Sequence, residues 1–251
     1  TRYTNNYWAI EHDMFESSQN TLYSAMHGFL SATKERRDLL LCQRQPRVDE
    51  THLPLGEYHA FNPLVARAKQ ARDLFLIIGP PGTGQTSFGL LNLLTEESLE
   101  QETNILLLSY TNRAVDEICS KLVESHIDFL RIGSELSCDP AYKDWLLNSK
   151  TGKLKRGSEV EQLLAQTRVV CGTTAALNAS SELFSLKHFH LAIVDEASQI
   201  LEPHLIGLLS AHNGDENAID RFVLIGDHKQ LPAVVQQSED ESLVTEPDLR
   251  H

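Results

Sequence analysis

The sequence predicts an α/β fold: a parallel sheet with helices on both faces, preceded by a helical segment. Three observations predict it. From Phe61 onward, short apolar runs alternate with amphipathic stretches of helical period. The runs span four to six residues and are nearly continuous in Leu, Ile and Val, as in strands covered on both faces. The residues with chemical character stand at the downstream ends of those runs, where open parallel sheets bind ligands.

The elements follow in order. Residues 8–45 place apolar side chains at helical spacing: Met14, Phe15, Leu22, Met26, Phe29 and Leu30, then Leu39, Leu40 and Leu41. The cluster Lys34-Glu35-Arg36-Arg37-Asp38 reads as a charged face or turn of that helix. Pro46, Pro54 and Gly56 break the pattern, so 46–60 is a connector. Predicted strands are 74–78, 104–109, 129–132, 168–171, 191–194 and 222–225. Predicted helices lie near 63–72, 85–95, 113–125, 159–166 and 203–210. Residues 134–158 are polar, contain Pro140, Gly152 and Gly157, and read as an insertion. Within it, Lys150, Lys153, Lys155 and Arg156 form either a solvated loop or an extra contact for a nucleic-acid strand. The expected division is a helical segment, 1–60, and an α/β domain, 61–251.

Composition narrows the classes. The net charge of −13 disfavours a protein that coats nucleic acid with its whole surface, while leaving room for a local basic groove. No apolar run reaches the roughly 20 residues of a membrane span. The polar start, Thr1 to Asn6, lacks the apolar segment of a signal peptide. Cys42, Cys119, Cys138 and Cys171 form no CxxC pair, which disfavours a zinc ribbon. Cys119 and Cys171 read as small core residues with reduced thiols, and the expected compartment is cytoplasmic, bacterial cytosol and eukaryotic nucleus or cytosol being equivalent on this ground.

Three motifs carry chemistry. The first, directly after the strand 74–78, is Gly79, Pro80, Pro81, Gly82, Thr83, Gly84, Gln85, Thr86, Ser87. It has the spacing of a phosphate-binding P-loop, in which glycines let successive backbone N–H groups face phosphate oxygens and a helix begins with its positive end toward them. Thr86 stands where a hydroxyl ligates Mg2+. Gln85 stands where the loop carries its lysine, so the β- and γ-phosphates lose a cation and keep at most a hydrogen-bond donor. Losing one such preorganised donor typically costs roughly 10²–10³ in rate. Weak nucleotide binding and little hydrolysis are therefore expected of this form.

The second motif is the apolar strand 191–194 ending in Asp195-Glu196-Ala197-Ser198-Gln199, a Walker B arrangement. Asp195 is expected to hold Mg2+ through its water shell, and Glu196 to act as general base on the attacking water. The third, Gly226-Asp227-His228-Lys229-Gln230-Leu231-Pro232, follows another apolar strand. Gly226 is expected to allow a tight turn, and Asp227 and Gln230 to sense the γ-phosphate.

These motifs, with Ser109-Tyr110-Thr111-Asn112-Arg113-Ala114-Val115-Asp116 and Cys171-Gly172-Thr173-Thr174, resemble helicase superfamily 1 in order and spacing over about residues 61–235. They are most similar to the branch containing the nonsense-mediated-decay helicase and its DNA-acting relatives. The resemblance implies a RecA-like P-loop NTPase domain that uses ATP and Mg2+ to translocate on single-stranded DNA or RNA and unwind it. It implies strand-backbone contacts from Thr111 and Asn112 and from Thr173 and Thr174, with Tyr110 as a stacking platform. It makes the helices of 8–45 stalk-like and puts Asn62, a shorter amide, near the place of the adenine-reading Gln. It implies a second RecA-like domain, which does not follow within these residues and without which a lobe neither encloses ATP nor translocates. The string Gly79–Gly84 also occurs in hexameric AAA-type ATPases, from which Gly226–Pro232 sets this chain apart. The other open reading is a non-hydrolysing scaffold that binds nucleotide or nucleic acid, in which Gln85 is natural.

Overall fold

The computed structural model describes residues 14–79, 89–100, 102–152, 154 and 156–227. The chain opens with α1 (Met14–Ser31) and α2 (Lys34–Leu40), then α3 (Asn62–Gln70), β1 (Leu74–Ile78), α4 (Leu90–Leu99), β2 (Ile105–Ser109), α5 (Asn112–Glu124) and β3 (Phe129–Ile132). It continues through α6 (Leu147–Thr151), α7 (Gly157–Gln166), β4 (Val169–Thr173), α8 (Thr174–Ala179), α9 (Leu183–Leu186), β5 (Phe189–Val194) and α10 (Glu202–Leu209). A short antiparallel pair, β6 (His212–Asn213) and β7 (Glu216–Asn217), precedes β8 (Ile219–Gly226).

Six strands pair in parallel in the order β1-β8-β5-β2-β4-β3, so the α/β architecture expected from the sequence is the one observed. Side chains alternate between the faces of a strand, and the core divides accordingly. Ile105, Leu107, Ile193 and Val223 pack with Val65 of α3, Leu93 and Leu94 of α4, and Ile118 and Leu122 of α5. Leu106, Leu108, Val194 and Phe222 pack on the other side with Leu164 of α7, Leu177 of α8 and Leu205 and Leu208 of α10. Cys119 and Cys171 belong to the first face, as expected, with their sulfurs 3.6 Å apart as free thiols. Coverage fails on one face of β1, an edge strand among the described residues, where Leu76 and Ile78 are more than half exposed.

The predicted single helix over 8–45 is two helices where described. Thr33 breaks it by accepting the Arg36 N–H at 3.3 Å as the N-cap of α2. The expected charged face then turns partly inward. Arg36 is buried, stacks over the Phe222 ring, and donates to the carbonyls of Leu209, Ile219 and Asp220. Its guanidinium is thereby tied to the start of β8, while α1 packs on α10 and α8. The insertion is not wholly polar either: Trp145 stacks on Phe129 at 5.5 Å and Leu146 is buried beside Arg131 of β3. Of the basic run, Lys150 pairs with Asp128 at 3.4 Å, while Lys153 and Lys155 lie outside the described residues.

Candidate nucleotide site at the carboxyl edge of the sheet

Parallel pairing brings the ends of β1, β2, β4, β5 and β8 to one edge, and with them Gly79, Ser109 to Asn112, Thr173, Thr174, Asp195, Glu196, Gly226 and Asp227. At β1, the Gly79 N–H donates to the Gly226 carbonyl at 3.2 Å, tying the start of the glycine-rich loop to the end of β8. Pro80, Pro81, Gly82, Thr83, Gly84, Gln85, Thr86 and Ser87 lie outside the described residues, as does Gln230.

Asp195 follows β5 directly and is buried. Its backbone N–H donates to the Leu108 carbonyl at 2.8 Å, and its Oδ1 accepts the Glu196 N–H at 3.0 Å. Burial pushes its carboxyl up to about 6; the Glu196 charge adds to the rise, and the backbone hydrogen bond and Lys121 oppose it. Glu196 is half-buried with φ 54°, a left-handed conformation that is uncommon for a residue with a side chain. Burial and the Glu117 charge raise its carboxyl as well, and the Ser109 hydroxyl opposes them. Ser109 is wholly buried at the end of β2 and near Glu196, although its hydroxyl completes no well-formed hydrogen bond.

Among the described residues, no Lys, Arg or His lies within ion-pairing distance of Asp195 or Glu196. A buried carboxylate without a cation is costly. The arrangement fits a divalent cation that takes hard oxygen ligands, as Mg2+ does.

The turn expected after Gly226 runs into residues outside those described, but Gly226 itself allows a close approach. A Cβ there would stand 2.9 Å from the Ser198 backbone nitrogen and 3.1 Å from its Oγ. The missing side chain lets the end of β8 lie against the turn that follows Glu196, and the Asp227 N–H then donates to Ser198 Oγ at 3.2 Å. The second and third motifs are thus in direct contact.

The four threonine and asparagine positions separate into two kinds. Thr111 is exposed and caps α5 by accepting the Ala114 N–H at 3.2 Å, with Asn112 exposed beside it and Tyr110 about half exposed before it. Thr173 caps α8 in the same way at 3.1 Å, yet Thr173 and Thr174 are both buried. Asn62 is closed on its own turn: Oδ1 accepts the Tyr58 N–H and Nδ2 donates to Glu57, each at 2.5 Å. Ser109 and Ser198, quoted within the motifs without a role, and Glu117 and Lys121 also stand at this edge. The signal for Glu117 and Lys121 was present, since Arg113, Glu117 and Lys121 repeat every fourth residue on the polar face of α5.

Comparison with known proteins identifies the family. A family model described as AAA domain matches residues 62–153 and 143–238. The chain is 36% identical over 173 residues to the DNA replication ATP-dependent helicase/nuclease DNA2 of Gallus gallus, covering 67% of this chain and 16% of that protein. It is 31% identical over 247 residues to the DNA replication ATP-dependent helicase/nuclease JHS1 of Arabidopsis thaliana, covering 92% of this chain and 17% of that one. The chain therefore spans about a sixth of the length of the curated relatives it matches. Among solved structures, the UvsW helicase from bacteriophage T4 matches with a TM-score of 0.45 and 19% identity, over 78% of this chain and 61% of that one.

Proposed function

The chain belongs to the AAA domain family, and from that premise we propose that it is the ATP-binding motor lobe of a superfamily 1 helicase acting on single-stranded nucleic acid. The observation that carries the reading is the meeting, on one edge, of Gly79, of Asp195 and Glu196, which have no ion-pair partner among the described residues, and of Gly226 with Asp227. Mg2+·ATP, when bound, would supply the phosphoanhydride and the metal charge, and Asp195 and the Thr86 hydroxyl would hold the metal. Glu196 would accept a proton on its carboxylate from the water that attacks the terminal phosphorus as the bond to the leaving diphosphate breaks, and burial, by raising its carboxyl, makes it a stronger base than an exposed glutamate. Gln230 and Asp227 read the terminal phosphate.

DNA is the favoured strand, because the matched relatives are named for DNA replication. On this reading Thr111 and Asn112 offer side chains to the backbone, whereas buried Thr173 and Thr174 support it by capping and packing. The nonsense-mediated-decay-like branch, the stalk role of residues 1–60, the adenine contact of Asn62 and a second RecA-like lobe that completes the nucleotide site belong to the same proposal. No described helix is long and apolar enough to cross a membrane, and the proposed place of work is the cytosol or nucleus.

Calorimetry with Mg2+·ATP on the Gln85 form and on Gln85→Lys, each with and without single-stranded DNA, tests the reading. Lysine is expected to tighten nucleotide binding about tenfold or more. Joined to a second lobe, Gln85→Lys is expected to show strand-stimulated hydrolysis. Helicase-like turnover by the Gln85 form itself would refute the role given to the missing lysine. The scaffold reading also rests on Gln85 and is favoured instead if Gln85→Lys restores neither binding nor turnover.

A further inference from the structure

We propose that His188, His190 and Asp220 form a binding site for a divalent transition-metal ion of the zinc type at the amino end of the sheet, opposite the nucleotide edge. His188 immediately precedes β5, His190 is its second residue, and Asp220 is the second residue of β8. The pairing Phe189↔Ile219 and Leu191↔Arg221 puts His190 abreast of Asp220. The alternation of side chains then sends His188 and His190 to one side, the side of Asp220. One ligand atom from each of the three lies within 4.8 Å of the other two. His188 Nε2 and Asp220 Oδ2 are 3.0 Å apart, close to the separation of two ligands on one small ion. The two imidazole rings stand 5.3 Å apart at 86°, so neither ring blocks the other's nitrogen by stacking.

Two imidazole nitrogens and one carboxylate oxygen suit Zn2+, Co2+ or Ni2+, whereas Mg2+ takes oxygen. Arg36 and Lys187, which flank the three ligands in sequence or space, are committed elsewhere, while Arg72 and His52 line the adjoining cleft. Arg36 donates to the backbone carbonyls of Ile219 and Asp220, leaving the Asp220 carboxylate to His188. Lys187 Nζ donates to Asn104 Oδ1 and the Leu164 carbonyl. His190 and Asp220 also border an open cleft of about 540 Å³, which leaves room for water or an added ligand on the metal's open positions. His190 Nδ1 accepts the Asn104 N–H at 3.0 Å, and ligation must exchange or rearrange that bond. The ion would join β5 and β8 at the ends opposite Asp195 and Gly226. The assignment is independent of the helicase reading.

The test is calorimetric titration of the 251-residue chain with Zn2+ alone, repeated on His188→Asn, Asp220→Asn and the control His204→Gln. One ion per chain is expected at low-micromolar affinity or better, unchanged in the control and weakened about tenfold or more in each of the other two. His188 and Asp220 are about half exposed, so these variants are expected to fold, and a thermal melt verifies it. Zn2+ should raise the melting temperature of the parent but not of the variants, and it should shift the Asn104 backbone amide in an NMR spectrum. Absence of binding, or binding that survives His188→Asn and Asp220→Asn because it resides at the thiols or other histidines, overturns the assignment.

Discussion

The two ends of the sheet treat their carboxylates in opposite ways. At the amino end, Asp73 is buried between Arg44 and Arg47, and Glu96 between the N–H groups of Leu55 and Gly56 and the hydroxyl of Tyr58. Lys69 lies buried against Glu96, Glu97 and Glu100, and Arg221 donates to Glu97. Burial alone would raise these acids, but the partners outweigh it and hold Asp73, Glu96 and Glu100 below the usual carboxylate range. At the carboxyl edge, burial prevails and Asp195 and Glu196 are raised. One end uses its charges to hold the connector and helices to the sheet. At the other, among the described residues, no cation pairs with either acid, at a cost in stability that the proposed Mg2+-bearing nucleotide would relieve. The contrast can be broken from either side.

The largest effect is expected at Asp73. Asp73→Ala removes the buried acceptor that Arg44 and the half-exposed Arg47 share, and losing such charge-assisted hydrogen bonds costs about 3 kcal/mol or more. Urea unfolding at neutral pH reads this as a lowered midpoint. Because the folded pKa is depressed, the stabilisation is present above the unfolded value and fades as the pH falls toward the folded one. The gap between parent and variant should therefore narrow below about pH 4. A midpoint within error of the parent at neutral pH would mean that the two arginines are not anchored by this residue.

Asp195→Asn should act in the opposite sense. It keeps an oxygen for the Glu196 N–H and removes the buried charge. The carboxyl is raised from 3.8 to about 6, so ionising it costs the fold on the order of 3 kcal/mol, fully above pH 6 and not at all below the unfolded value. The ligand-free variant should thus be more stable than the parent at pH 7.5, and equal to it near pH 4. The same change should abolish the dependence of ATP binding on Mg2+. A less stable variant at pH 7.5 would remove the basis for calling this edge a store of unneutralised charge.

Gly226→Ala is expected to cost about 2 kcal/mol, because its Cβ meets backbone at Ser198 and that turn must move. Thermal unfolding measures the cost. Nucleotide affinity should fall with it, since Gly226 also accepts the Gly79 N–H. A fully stable variant with unchanged affinity would show that the turn yields freely.

What the sequence made legible follows from what periodicity can see. The strands β1 and β3 stand at their predicted bounds because apolar runs end where the strands end. The strands β5 and β8 begin earlier than predicted, since His190, Asp220 and Arg221 are polar residues within strands. The helix α4 runs past its expected end through Glu96 and Glu97, which are buried by partners from distant segments that no local pattern reveals. The hairpin β6–β7 carried an Asn213-Gly214 signal that was readable and missed, with Gly214 at φ +60° in the turn. At the site, motif spacing located Asp195, Glu196 and Gly226. It did not disclose Ser109 or Ser198, because a serine at a strand end has no signature until the fold puts it beside a carboxylate or a glycine.

The smallest effect, at Thr111, sharpens the comparison most, because one residue there serves both stability and the proposed function. Its hydroxyl accepts the Ala114 N–H as the cap of α5, while its exposed position faces solvent beside Tyr110 and Asn112. Thr111→Ala should cost about 1 kcal/mol of stability through the lost cap. Thr111→Asp should keep the cap, since aspartate accepts the same N–H and its charge suits a helix N-terminus. That charge would repel a phosphate backbone. A thermal melt paired with single-stranded DNA titration at two salt concentrations separates the roles: Thr111→Asp stays as stable as the parent, binds strand more weakly, and recovers part of the loss at high salt. If Thr111→Asp binds strand as the parent does, the residue is a cap alone, and the strand path lies elsewhere on the edge.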